Sequence, residues 1–159
     1  MIKQRWHVAV LLLAACSGGG TTASAPVAPS PGTARGTVES FMQAVADSNL
    51  TQMASLWGTA AGPAAKTRQP PDYERRIVVM QSYLRNESHR LLPSTPSGGG
   101  RDEIQVEIRR ELCTWIVPFT VVRLGDNTWV VNQMDLTKAG NPARPCAPGA
   151  APDSTAPPQ

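Results

Sequence analysis

No apolar run of this chain approaches the roughly 20 residues needed to cross a hydrocarbon core. Ser17, Gly18, Gly19 and Gly20 end the one greasy N-terminal segment soon after Leu13, which argues against a spanning helix there. Charge is scarce as well, at 17% of residues. Basic residues cluster no further than the pairs Arg75-Arg76 and Arg109-Arg110, which read as solvated helix and strand faces rather than a stripe for phosphate polymers. Nucleic acid is therefore not an expected partner. With two histidines and three cysteines, nothing has metal-ligand spacing, and no phosphate loop, nucleophile elbow or dinucleotide fingerprint is written in the chain. Functions that announce themselves in short motifs are thereby set aside, and no metal or cofactor is implied.

What is present begins with Lys3 and Arg5, a short apolar stretch from Trp6 to Leu13, and small residues before Cys16. That order is the layout of a secretory signal peptide, and plain secretion with Cys16 incidental is the alternative to an anchored protein. Leu13-Ala14-Ala15-Cys16 resembles the lipobox of bacterial lipoproteins, whose cysteine receives a diacylglycerol thioether and becomes the mature N-terminus. The resemblance implies lipidation at Cys16, with acyl chains of the palmitate kind, and a membrane-anchored protein of the bacterial cell envelope. Ser17 after the cysteine resembles lipoproteins sent to the outer membrane where the organism has one.

Loss of residues 1–15 would take Lys3 and Arg5 with it, so that 15 basic side chains become 13 against 12 acidic ones. The mature chain is then nearly neutral and has no strong long-range field. Residues 16–33 and 138–159 are rich in Pro, Ala, Gly, Ser and Thr. Such compositions bury too little apolar surface to offset ordering entropy, so the first reads as a flexible tether and the second as a Pro/Ala-rich tail. Residues 34–137 remain as one domain. Cys113 and Cys146 form an even pair in an oxidising compartment, where a disulfide is expected to persist; two free thiols are the alternative.

Within the domain, Val38, Phe41, Met42 and Val45 fall at i, i+3, i+4 and i+7, the buried stripe of a first helix. Asp47, Ser48 and Asn49 break it, and Leu50, Met53, Leu56 and Trp57 continue as a second. Gly58, Gly62 and Pro63 stop that one, and residues 64–71 read as a loop. Asp72 is the expected N-cap of a third helix through Tyr73, Ile77, Met80 and Leu84. The period then falls to two. A short strand at His89–Leu92, a strand through Ile104, Val106 and Ile108, a long strand at Leu112–Leu124 and a last one from Trp129 follow in turn, the final pair joined by Gly125-Asp126-Asn127-Thr128. Apolar groups on both faces of the long strand suggest cover on both sides, with Pro118 at a bulge or edge. The fold class is α+β, three N-terminal helices packed on an antiparallel sheet of about four strands.

The helix at Val38–Val45 with its Asp-Ser-Asn-Leu break, and the closing hairpin of Val117–Leu124, Trp129-Val130-Val131 and Asp135, resemble nuclear transport factor 2-like (NTF2-like) domains. The resemblance implies a curved sheet wrapped around the helices as a cone, with a largely apolar pocket at its open end. Trp57, Tyr73, Tyr83, Trp115, Phe119 and Trp129 are the ligand-pocket candidates, although several of these aromatics serve equally well as core. Some relatives of this kind are isomerases or dehydratases, which need an acid or base inside the pocket. His89, Tyr73, Tyr83, Asp126 and Asp135 are the available groups; Asp126 suits a turn, His89 a structural hydrogen bond and the two tyrosines the edge of a core, so no catalytic residue is assigned. The expectation is a non-catalytic binding domain for a small apolar molecule or an envelope protein partner. A structural or assembly role, through a homodimer of the sheet face, is the alternative.

Overall fold

The computed structural model describes residues 32–94, 98–144 and 146. Cys16, the lipobox and most of the tether and tail lie outside the described residues. Helix α1, Ala34–Ala46, starts at Thr33, whose hydroxyl accepts from the Gly36 N–H at 3.0 Å. Its stripe of Val38, Phe41, Met42 and Val45 is fully buried. Helix α2, Leu50–Leu56, is capped by Asn49, whose side-chain oxygen accepts from the Gln52 N–H at 3.0 Å. These two helices follow the hydrophobic period and the capping residues that flank it.

The next stretch differs from expectation. Gly58–Thr59 (β1) and Gly62–Pro63 (β2) pair as a small antiparallel ribbon, and Ala64–Thr67 forms a one-turn helix, α3, where a loop was expected. The described residues thus hold four helices rather than three. The ribbon depends on backbones approaching closely: a Cβ on Gly58 would collide with the Gly62 carbonyl oxygen. Such an approach leaves no periodic signature in the sequence.

Helix α4, Tyr73–Leu84, buries Ile77, Met80 and Leu84. Asp72 sits at its N-cap position but makes no capping bond; its carboxylate instead accepts from Arg76 Nε at 2.9 Å.

Strands β3 (Ser88–Leu91), β4 (Arg101–Arg110), β5 (Cys113–Arg123) and β6 (Trp129–Met134) form a four-stranded antiparallel sheet in chain order. Helix α1 lies against its inner face, where Phe41 meets Phe119 edge-on with centroids 6.2 Å apart. Ile104, Val106, Ile108, Val117, Phe119, Val121 and Val131 complete that core. Arg35 fastens α1 to the sheet by donating to the carbonyls of Leu91 and Leu92 at 2.7 and 2.8 Å.

Strand β5 is buried on one face only. Val117, Phe119 and Val121 are inside, while Ile116 on the opposite face is 48% exposed, so the expected cover on both sides is absent among the described residues. Thr114 and Thr120 alternate with the apolar groups there and let that face meet water. Pro118 sits mid-strand between two neighbours, not at an edge. Its carbonyl accepts from the Asp135 N–H at 3.2 Å, just past the last β5–β6 pair, Phe119 with Met134. Its ring nitrogen therefore faces the place where β6 ends, and no bond to β4 is lost. The bulge itself falls two residues later, between Thr120 and Val121.

A 3-10 turn, Leu136–Ala139, closes the domain, and Ala139 is fully buried. The chain stays packed beyond Thr137, since Gly140 lies directly against the Trp115 indole.

Candidate functional site

Helix α4, the end of α2 and the free edge of β6 leave a groove of about 370 Å³ between them. Its position follows from the fold. Strand β6 is the last of its sheet, and among the described residues its outer edge has no strand neighbour apart from one parallel bridge between Val131 and Trp57. Trp57 (8% exposed) and Met80 (5%) form the apolar floor, with Met134 and Leu136 on the sheet side and Val79, 42% exposed, on the helix side. Asn132 and Gln133 add amides to the β6 wall, and Asn132 is held by donating from Nδ2 to the Gly58 carbonyl at 3.0 Å.

Three charged groups at the start of α4 rim the groove: Asp72 at the N-cap position, and Arg75 and Arg76 within the helix. The hydrogen bond from Arg76 holds the Asp72 carboxyl below its ordinary range, so that pair is already neutralised. The Arg75 guanidinium makes no direct hydrogen bond or ion pair among the described residues and acts on Asp72 only through space, so two arginines share one carboxylate and the rim carries one surplus positive charge.

The sequence-derived aromatics do not gather in one place. Trp57 lines this groove. Tyr73 lines a second hollow of about 310 Å³ between α2, α3 and α4, and its hydroxyl lies 3.0 Å from Glu74 Oε1. Phe119 is wholly inside the core. Tyr83, Trp115 and Trp129 pack half-buried against that core. Arg110 lies over the Trp115 ring at 4.7 Å and Arg123 over Trp129 at 5.9 Å.

The polar candidates are each held locally. His89 Nε2 lies 3.0 Å from Glu39 Oε1, with the His89 side chain 12% exposed. Asp126 Oδ1 accepts from the Thr128 hydroxyl at 2.6 Å and the Thr128 N–H at 3.0 Å, and those bonds lower its pKa. Asp135 accepts from the Thr137 N–H at 3.1 Å at the head of the 3-10 turn. Among the described residues no cluster of His, Cys, Asp and Glu could hold a metal ion.

Two features escaped the sequence. One is the groove rim, because Arg75 and Arg76 read as a solvated face; the one available signal was the i, i+4 spacing of Asp72 and Arg76. The other is Arg110, whose guanidinium donates to the carbonyls of Tyr83, Arg85 and Ala139 at 3.2, 3.3 and 2.8 Å. It thereby ties the end of α4 and the 3-10 turn to the tip of the β4–β5 hairpin, and burial lowers its pKa. Beside it Cys113 and Cys146 stand at disulfide distance, with Cα atoms 5.9 Å apart. The Cys146 N–H donates to Glu111 Oε2 at 3.2 Å.

In comparison with known proteins, no family model, curated protein or solved structure matches this chain.

Proposed function

We propose that this chain is a lipid-anchored protein of the bacterial cell envelope, whose α+β domain binds a small apolar molecule or a segment of a protein partner without turning it over. The observation that carries the binding reading is the groove beside α4, where Trp57, Met80, Met134 and Leu136 present apolar surface beneath a polar rim. Ligand sites have this make-up, mostly apolar walls with a few placed polar groups. The anchor rests on Leu13-Ala14-Ala15-Cys16 and the apolar run before it. Helices followed by a four-stranded antiparallel meander are consistent with an NTF2-like domain, in which the sheet would curve around the helices. Binding is favoured over isomerase or dehydratase chemistry because His89, Asp126 and Asp135 are each engaged by a neighbour outside the groove.

The neutral dye Nile red tests the groove. Folded protein is expected to shift its emission to the blue, and Val79→Asp, which places a charge on an already exposed wall position, is expected to abolish the shift. An unchanged signal in Val79→Asp with the fold intact would remove the groove as the binding site.

A second reading, assembly through the sheet, is favoured by Ile116 on the open face and Leu112, 77% exposed, at the β4–β5 tip. Sedimentation equilibrium distinguishes it. A dimer broken by Ile116→Lys would support assembly, and a monomer at all concentrations would exclude a homodimer.

A further inference from the structure

We infer that the groove selects a single-chain monoanionic amphiphile, namely a free fatty acid of medium length, with the carboxylate at Arg75 and the alkyl chain over Trp57 and Met80. The inference rests on the groove reading given above and adds its charge selectivity. Both acidic residues in and beside the first turn of α4 are accounted for. Asp72 is bonded to Arg76 at 2.9 Å, and Glu74 turns to the Tyr73 hydroxyl in the other hollow. Arg75 acts on the same Asp72 carboxylate only through space, so two arginines share one acid and the Arg75 guanidinium keeps its N–H groups unbonded among the described residues; an arginine suits a planar carboxylate because its N–H groups match the two oxygens. One surplus positive charge balances one negative charge, whereas a dianion would leave an excess facing Asp72. The volume, about 370 Å³, lies near the small end for ligand sites and suits one chain rather than two. The Gln133 amide, which makes no hydrogen bond among the described residues, stands on the opposite wall as a second donor for the head group.

The test titrates the full chain with hexanoate, octanoate, 1-octanol and octylammonium in detergent-free buffer, following the amide and indole resonances by NMR. Octanoate is expected to bind about fourfold more tightly than hexanoate for each added methylene. At low salt it should bind about fivefold more tightly than 1-octanol, as a partly exposed ion pair allows, with octylammonium weakest. Added salt should narrow the gap between octanoate and 1-octanol. Arg75→Gln should equalise the two while leaving 1-octanol unchanged, and Arg109→Gln, on the outer face of β4, should alter neither. Equal binding of octanoate and 1-octanol by the wild type, or an octanoate preference that survives Arg75→Gln, would overturn the charge inference while leaving the groove reading intact. If no chain of either kind binds, or if Val79→Asp binds them as well as the wild type, the groove reading falls with it. Circular dichroism and urea midpoints of each variant separate lost binding from lost fold.

Discussion

Replacing Gly140 with alanine should be among the most damaging single-methyl additions in this domain. Gly140 has φ 70° and ψ 175°, a backbone region essentially restricted to glycine. Forcing an L side chain to adopt it costs about 1 to 3 kcal/mol. The new Cβ would also stand 2.6 Å from Cε2 and Nε1 of the Trp115 indole. That indole cannot swing aside freely, because Arg110 covers it at 4.7 Å and is itself fixed to three carbonyls. Overpacking of this kind adds about 1 to 3 kcal/mol. Stiffening of the unfolded chain returns about 0.4 to 1 kcal/mol, so the net loss centres on about 3 kcal/mol. Against a typical domain stability of about 5 to 15 kcal/mol, that is a large fraction. The assay is urea unfolding, where a slope of about 1.5 kcal/mol/M would turn the loss into a midpoint about 2 M lower. Gly98→Ala is the control: Gly98 also has positive φ, 74°, but nothing lies within 4 Å of its added Cβ. Gly98→Ala reports the cost of a Cβ at positive φ with no neighbour to meet, and the indole contact itself is read from the coupling to Trp115. Trp115→Phe in the Gly140→Ala background should recover part of the loss as a coupling energy of about 1 kcal/mol. If Gly140→Ala proves no worse than Gly98→Ala and shows no coupling to Trp115→Phe, the packing argument fails.

Three further outcomes are expected. A Cys113–Cys146 bridge closes a separation of 33 residues, so reduction or Cys146→Ala should destabilise the domain by about 3 to 4 kcal/mol on the chain-entropy account; both thiols alkylating without reductant would exclude the bridge. Metabolic labelling with a clickable fatty acid should mark the wild type but not Cys16→Ser, and equal labelling of both would rule out the anchor. The Asp126 carboxyl should titrate below the ordinary aspartate range by NMR because Thr128 bonds its charged form. Its contribution to stability is then complete above the unfolded pKa of about 3.9 and fades as pH falls through the lower folded value. Thr128→Ala should return its midpoint toward the ordinary value.

The parts of the fold that depend on local periodicity were legible in the sequence. The α1 stripe of Val38, Phe41, Met42 and Val45 is buried to the last residue, and Ile104, Val106 and Ile108 face inward as their alternation requires. Asn49 caps α2 because its short amide reaches the Gln52 N–H, a relation three residues long. What stayed hidden depends on segments far apart in the chain. The β1–β2 ribbon needs Gly58 against Gly62 in a close approach that no hydrophobic count records. Arg110 is placed by carbonyls at positions 83, 85 and 139. The groove joins residue 57, the rim of α4 and the end of β6, so its charge became visible only once Asp72 had been matched with Arg76. The long strand at Leu112–Leu124 illustrates the opposite error. Its second face carries Ile116 and Val122 among threonines, a mixture that tolerates solvent as well as cover.

The Cys113–Cys146 pair also determines how the domain would come apart. With the bridge closed, residues 113–146 form a covalent ring that contains β6, the turn at Gly125–Thr128 and the 3-10 turn. A protease that cuts once inside that ring opens it without releasing a fragment, so the nicked protein would run as one species until a reductant is added. A pull applied to the chain beyond Cys146 would bypass the 3-10 turn and Gly140 and load β5, an inner strand of the sheet, through Cys113. Unravelling from that end would then have to begin by breaking strand pairs, instead of peeling away the last turn.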